Sequence, residues 1–186
     1  MSGLCFVTVG TTRFDDLINA MMQDNVLAAL RKIGINKLVM QIGAGDFEKT
    51  RFTEVFGDSR GDEGRANYAG VQIEFYRYKN SIALDIERAT VVVGHAGAGT
   101  VLESLGKGRP LVVVVNEKLM DNHQFELASK LASLGHLVYC IPSGIEGALT
   151  NSSLFNLEPF TPPDISKVAG YVNRLMGVSE THTVSS

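Results

Sequence analysis

The sequence predicts one α/β domain with a doubly wound, Rossmann-like sheet of parallel strands. Short apolar runs rich in β-branched residues alternate along the chain with segments of helical periodicity. One run, 111–115, is apolar throughout, which is typical of a strand covered on both faces. The length of 186 residues suits a single domain. Right-handed crossovers would then place a ligand at the carboxyl ends of the strands.

The first half of the chain contains three predicted strands, at 4–9, 37–42 and 71–76. A helix is predicted over 15–32, because two acidic residues favour its first turn and apolar residues recur at helical spacing. The segment 43–70 carries six acidic residues and several glycines, and it predicts a long, mobile polar surface loop.

The second half repeats the alternation of strands and helices. Apolar runs predict three strands, and helical periodicity before and between them predicts three helices, the last of which is stopped by Gly135. A proline pair near the first turn opens a further predicted helix, and the last residues are predicted to be a disordered tail. We therefore expect a domain over 1–142 and a C-terminal extension over 143–176. The strands are predicted at 91–93, 111–115 and 138–141, the helices at 81–88, 100–105, 122–134 and 164–176, and the tail at 177–186.

Composition excludes several classes of protein. There are 17 Lys and Arg residues against 20 Asp and Glu residues, so the formal charge of -3 argues against nucleic acid as a partner. No apolar run approaches the roughly 18 to 20 residues that cross a bilayer, and no secretory signal is visible. We expect a cytoplasmic chain without a membrane span of its own. Cys5 and Cys140 lie in apolar runs without ligand-spaced neighbours, so we expect reduced, buried thiols and no metal site.

The strongest candidate for a ligand site is the turn at 94–100, which leads from a buried strand into a helix. Glycines let a ligand approach the backbone, and the first amides of a helix attract an anion. The predicted ligand is a phosphate or a diphosphate. The alternative is a tight turn that binds nothing.

Two further turns belong to the same predicted edge. Gly10, Thr11 and Thr12 follow the first strand, where the hydroxyls could donate to a phosphate or a sugar, or Thr12 or Asp15 could cap the next helix. After the fifth strand, Asn122, His123 and Gln124 are side chains that suit the recognition of sugar hydroxyls. Asp121 or Asn122 could instead cap that helix.

A dinucleotide-binding domain is a rival interpretation. Gly97 and Gly99 are followed by Leu102 where a third glycine is required, but Glu117 lies about 20 positions after Gly97, as a ribose-binding acid would. A Walker-type phosphate loop is excluded, because no Gly-Lys-Ser/Thr follows a glycine loop.

Several separated motifs, in order, resemble one family: the catalytic subunit of the two-chain N-acetylglucosaminyltransferase of dolichol-linked oligosaccharide synthesis. The resemblance runs from about residue 4 to residue 140. More distantly, the chain is similar to the C-terminal half of the bacterial lipid-linked peptidoglycan N-acetylglucosaminyltransferase. The motifs are Phe6-Val7-Thr8-Val9-Gly10-Thr11-Thr12 with Phe14-Asp15-Asp16-Leu17, Tyr76-Arg77-Tyr78-Lys79, Gly94-His95-Ala96-Gly97-Ala98-Gly99-Thr100 with Leu102-Glu103, and Asn116-Glu117-Lys118-Leu119-Met120 with Asn122-His123-Gln124.

This resemblance implies the donor half of a GT-B glycosyltransferase, which binds UDP-N-acetylglucosamine. The turn at 97–100 would hold the diphosphate, Glu103 the uridine ribose, and His123 with Gln124 the donor sugar. Residues 10–12 would line the cleft beside the phosphates and the acceptor. For His95, a catalytic role and a structural role both remain open. The implied donor-site residues are Gly10, Thr11, Thr12, His95, Gly97, Ala98, Gly99, Thr100, Glu103, Asn122, His123 and Gln124.

The resemblance also implies a partner, since a GT-B enzyme needs two lobes and this chain can supply one. A membrane-anchored subunit would bind the lipid-linked sugar acceptor and recruit this chain to the cytosolic face of the endoplasmic reticulum. The helix at 164–176 would dock to that subunit or pack back on its own sheet.

The implied reaction is inverting transfer to dolichyl-diphosphate N-acetylglucosamine with formation of a β1,4 link. It uses no cofactor, and the lack of an Asp-x-Asp motif agrees with metal independence. No residue is assigned as the base, which the partner could supply. The alternative is a nucleotide-binding regulatory or scaffold subunit without catalysis; Glu103, His123 and Gln124 together favour the transferase.

Overall fold

The computed structural model describes residues 3–46, 50–57, 61–116 and 122–161. Its centre is a seven-stranded sheet in the order β3-β4-β2-β1-β5-β6-β7. The strands are β1 Gly3–Thr8, β2 Ile35–Gln41, β3 Glu63–Tyr68, β4 Val71–Tyr76, β5 Val91–His95, β6 Leu111–Val114 and β7 Val138–Cys140. The helices are α1 Asp15–Met21, α2 Asp24–Lys32, α3 Arg51–Phe56, α4 Ala83–Arg88, α5 Ala98–Gly106, α6 Asn122–Ser133 and α7 Ile145–Leu149.

Of the seven strands in the described ranges, six pair in parallel, and β3 is antiparallel to its neighbour β4. The predicted α/β class and the Rossmann-like sheet are therefore confirmed, with a mixed rather than an all-parallel sheet. Each of the six predicted strands is present within one or two residues of its expected bounds.

Helices cover both faces of the central strands. Cys5 and Val7 of β1 pack in one buried cluster with residues of α1, α2 and α7, while Phe6 packs in a second cluster with residues of α4, α5 and α6. The residues of β6 divide between the same two clusters. Because neither face of β6 meets water, its sequence is apolar at every position instead of alternating.

The segment 43–70 is not one mobile loop, and this prediction was wrong. It contains α3 and the edge strand β3. Strand β3 is polar because it pairs on one side only, and a two-residue turn at Ala69 and Gly70, both with positive φ, joins it to β4. The helix is held by a cluster of Phe52, Phe56 and Phe75, whose ring centroids lie 4.8 Å apart.

The single helix predicted over 15–32 is two helices, α1 and α2. The chain becomes extended at Gln23 (φ -72°, ψ 143°) and turns helical again at Asp24. Both helices bury apolar residues against the same face of the sheet, so the apolar periodicity continues across the break and does not reveal it. The missed signal is Asp24, an acidic residue that favours the start of a helix.

The predicted domain boundary at residue 142 is also corrected. After a short 3-10 turn, α7 buries Ile145 and Leu149 completely, and Leu154 is buried in the same cluster. The chain is therefore part of the domain core at least as far as Leu154. The predicted helix at 164–176 and the predicted tail at 177–186 lie outside the described residues.

Both thiols fit their expected structural role. Cys5 is fully buried and Cys140 partly buried; burial raises the pKa of Cys5 and raises that of Cys140 to about 12. In the described part of the chain, none of the helices has the length and apolarity needed to cross a bilayer.

If the segment after residue 142 belongs to the core, Leu149→Ala should lower the free energy of unfolding by about 2–5 kcal/mol, because it leaves a cavity. Phe155→Ala is the matched control, since Phe155 is 44% exposed and Leu149 is 0% exposed. Chemical denaturation would measure both variants. Equal, small losses would show that the segment is an appendage.

Candidate functional site

The candidate site lies where the order of strands reverses. From β1 the chain crosses to β2 on one side, and from β5 it crosses to β6 on the other. Strands β1 and β5 pair directly, with Thr8 opposite Gly94. The turns that follow them therefore leave the sheet side by side, at the point where doubly wound folds bind their ligands.

The turn after β5 presents the start of a helix whose first three amides have no backbone hydrogen-bond partner among the described residues. The amide of Gly97 donates to the carbonyl of His95 (2.8 Å), and Gly97 is the N-cap of α5 (φ -74°, ψ 124°). The first bond of the helix runs from the Val101 amide to the Gly97 carbonyl (3.1 Å). The amides of Ala98, Gly99 and Thr100 precede that bond, so they and the helix dipole can bind an anion.

Two glycines of this turn have different reasons to lack a side chain. A Cβ on Gly97 would lie 2.4 Å from Nε2 of His95, so the fold itself requires glycine there. A Cβ on Gly99 would have no described atom within 4 Å. Among the described residues, no atom therefore fills the Cβ position of Gly99 in the first turn of α5, which leaves room for a ligand there.

The turn after β1 closes on itself. The amide of Gly10 donates to the hydroxyl of Thr8 (3.0 Å), and the hydroxyl of Thr12 donates to the carbonyl of Val9 (2.7 Å). The N-cap of α1 is Phe14, without a side-chain cap, so the alternative that Thr12 or Asp15 caps this helix was wrong. Thr11 and Thr12 are exposed on the same edge as the start of α5.

The imidazole of His95 lies between the two turns. Its Cε1 would be 2.8 Å from a Cβ on Gly10, so both Gly10 (φ +63°) and Gly97 must be glycine to admit the ring. Nδ1 is buried and makes no hydrogen bond of normal geometry to a described residue. Burial lowers the pKa of His95, and the nearby Thr8 carbonyl opposes this only in part. A neutral ring that spaces the two turns is the role the geometry favours.

Sequence reasoning missed the support beneath the first turn. The hydroxyl of Thr8 donates to Oε1 of Gln41, and both residues are buried. Gly43 (φ +57°) packs against the turn, since a Cβ there would lie 2.6 Å from the Thr12 carbonyl. The available signal was a Thr and a Gln that each directly follow a short apolar run, 4–7 and 38–40.

Helices α5 and α6 carry the remaining predicted site residues. Glu103 lies one turn after Gly99 on the same face of α5 and is half-buried. Gln124 is half-buried in the first turn of α6, where the backbone also places Asn122 and His123. The side chains of Asn122 and His123, and the whole of 117–121 with the rival ribose acid Glu117, lie outside the described residues. The described ranges contain no cluster of His, Cys, Asp and Glu side chains that could hold a metal ion.

Sequence comparison finds relatives along most of the chain. Residues 4–175 match the model of the glycosyltransferase family 28 C-terminal domain. Human UDP-N-acetylglucosamine transferase subunit ALG13 is 39% identical over 95% of this chain, which spans only 15% of the human protein. The protein of the same name from Eremothecium gossypii is 34% identical, and 84% of each chain is covered.

Solved structures share the fold. The solution structure of ALG13 superposes with a TM-score of 0.66 at 22% identity, and 94% of each chain is covered. Acinetobacter baumannii MurG has a TM-score of 0.55 at 20% identity, covering 96% of this chain but 44% of its own. The fold of this chain therefore also forms somewhat less than half of the MurG chain.

The burial of neutral His95 predicts a pH dependence. The pKa of His95 in the folded chain is lowered from the ordinary 6.5, so the unfolded chain takes up a proton at this residue more readily than the folded chain. The contribution of neutral His95 to the free energy of unfolding is therefore complete above pH 6.5 and is lost as the pH falls below it. The difference in unfolding free energy between wild type and His95→Gln should narrow from pH 7 to pH 5. Denaturant titrations at each pH would measure it. A constant or widening difference would mean that the ring is not buried in its neutral form.

Proposed function

Because the chain belongs to the glycosyltransferase family 28 C-terminal domains, we propose that it is the donor-binding subunit of an inverting N-acetylglucosaminyltransferase. The donor is UDP-N-acetylglucosamine, and the acceptor is dolichyl-diphosphate N-acetylglucosamine in N-glycan precursor synthesis. One observation carries the proposal: at the strand-order reversal, α5 begins with amides that have no backbone partner among the described residues, and no described atom fills the Cβ position of Gly99.

The diphosphate would lie on the amides of Ala98, Gly99 and Thr100. Hydrogen bonds to an anion are stronger than neutral ones, and the dipole of α5 adds to them. Negative charge grows on the diphosphate as the sugar leaves, so the same amides would stabilise the transition state. No cofactor and no metal is part of this proposal.

The rest of the donor would extend along α5 and towards α6. The carboxylate of Glu103, one turn further along α5, can accept hydrogen bonds from the two ribose hydroxyls. Gln124 and its neighbour His123, at the start of α6, would face the donor sugar. The turn at 10–12 would border the phosphates on the opposite side, towards the acceptor.

The acceptor half would come from a second chain. The relatives are named as subunits, and this chain corresponds to one lobe of MurG. A membrane-anchored partner would bind the lipid-linked acceptor, hold this chain at the cytosolic face of the endoplasmic reticulum and complete the cleft. No residue of this chain is assigned as the base that activates the acceptor hydroxyl.

Placing the diphosphate beside Gly99 predicts opposite effects on stability and binding. Gly99→Asp should leave the thermal midpoint unchanged or raise it, because an acidic side chain favours the first turn of a helix. It should weaken UDP binding by roughly tenfold or more through repulsion of the phosphates. Gly106→Ala is the control, since Gly106 is at the other end of α5 and also has open space around it. Unchanged UDP affinity in Gly99→Asp, measured by calorimetry, would exclude this placement.

The ribose assignment predicts that Glu103→Gln weakens UDP binding and slows transfer by the reconstituted pair, each by about tenfold. Glu126→Gln, at an exposed position of α6, should change neither.

UDP should raise the thermal midpoint of the wild type, whereas NAD should not. Protection by NAD alone would favour the dinucleotide rival. UDP binding without transfer by the pair would favour the scaffold alternative.

A further inference from the structure

Arg77 belongs to a motif to which the sequence assigned no role, and its contacts are unusual. It follows β4 directly, and its Nη1 donates to the carbonyls of Gly43 (3.0 Å) and Gly45 (2.9 Å), in the loop after β2. Its Nε is 3.9 Å from a carboxylate oxygen of Asp62, but that side chain is 93% exposed, so the ion pair contributes little. The guanidinium therefore acts mainly on residues 43–45, which we call the Gly43 loop.

That loop presses on the turn after β1. A Cβ on Gly43 would lie 2.6 Å from the Thr12 carbonyl oxygen, 3.0 Å from Cγ2 of Val9 and 3.3 Å from the Gly10 carbonyl oxygen. Two of these three neighbours are backbone carbonyls, which cannot shift to absorb a displacement unless the turn itself moves. A movement of the loop would therefore change the shape of the turn.

The contact continues to the start of α5. Gly10 of the turn lies against the His95 ring, and the same ring lies against Gly97, the N-cap of α5. Arg77 and the amides of the candidate diphosphate site are thus joined by an unbroken series of close contacts. Packed interiors pass such displacements on, because they leave few gaps to absorb them.

We propose that Arg77 is a positioning residue of the donor site: it holds the Gly43 loop against the turn at 10–12 and thereby sets the spacing between that turn and α5. The inference rests on the proposed function and adds a determinant of donor affinity outside the donor contacts. An arginine suits this task, because its planar guanidinium keeps its donors in a fixed arrangement towards two carbonyls.

The first test compares Arg77→Ala with Arg65→Ala. Arg65 is the matched control, since its side chain is 79% exposed on β3 and forms an ion pair with Glu74 at 3.5 Å. UDP affinity would be measured on the isolated chain, and kcat and KM on the reconstituted pair. Arg77→Ala should raise Kd for UDP and KM for the sugar nucleotide by roughly tenfold and lower kcat less, while Arg65→Ala changes neither.

Arg77→Lys separates positioning from folding. A lysine keeps the charge and donors but not the fixed fork, so UDP affinity should recover in part, and circular dichroism should show native fold in both variants. If Arg77→Ala lowers only the thermal midpoint, with Kd and KM unchanged, the inference is overturned. Wild-type chain that fails to bind UDP would instead refute the proposed function itself, and this inference with it.

A double-mutant cycle tests the route. Gly43→Ala should disturb the turn at 10–12 directly, because the added methyl group would meet the Thr12 carbonyl. If both variants act through that turn, their effects on Kd for UDP are not additive. Additive effects would show that Arg77 acts by another path and would overturn the inference.

Discussion

Much of this molecule depends on the close approach of two turns at the reversal of strand order. Strands β1 and β5 are direct neighbours, so the segments that leave them have no strand between them. The His95 ring fills the gap, and Gly10 and Gly97 lack side chains because the ring occupies their Cβ space. Three residues of two separated motifs are therefore one steric unit, which determines where the first turn of α5 begins.

This unit explains how an anion could bind without a cationic side chain at the turn. Burial keeps His95 neutral, since its pKa is lowered. The positive potential comes instead from backbone amides and the dipole of α5, which are held in place before a ligand arrives. Fixed amides need no reorganisation as charge develops on a leaving diphosphate, which suits the sugar transfer proposed for this chain.

Polar contacts link the strands around this unit. Thr8 and Gln41 join the ends of β1 and β2 by a buried hydrogen bond, and Arg77 ties the loop after β2 to the end of β4. The buried Thr8 hydroxyl and Gln41 amide must be satisfied by partners of defined geometry. Together with the contacts of Arg77, their hydrogen bond connects three parallel strands at the edge where the candidate site lies.

The amino-acid order by itself determined the sheet and the glycine turns. Strands such as 111–115 could be recognised because burial on both faces leaves an apolar run, and the turn at 94–100 because glycine before a helix has a local cause. Strand β3 and the break at Gln23 escaped, since an edge strand needs little apolar surface and both helices share one buried face. The contacts of His95 with Gly10 and of Arg77 with the Gly43 loop join residues tens of positions apart. Only the tertiary structure could decide them, because such contacts depend on which strands become neighbours, and no local pattern records that.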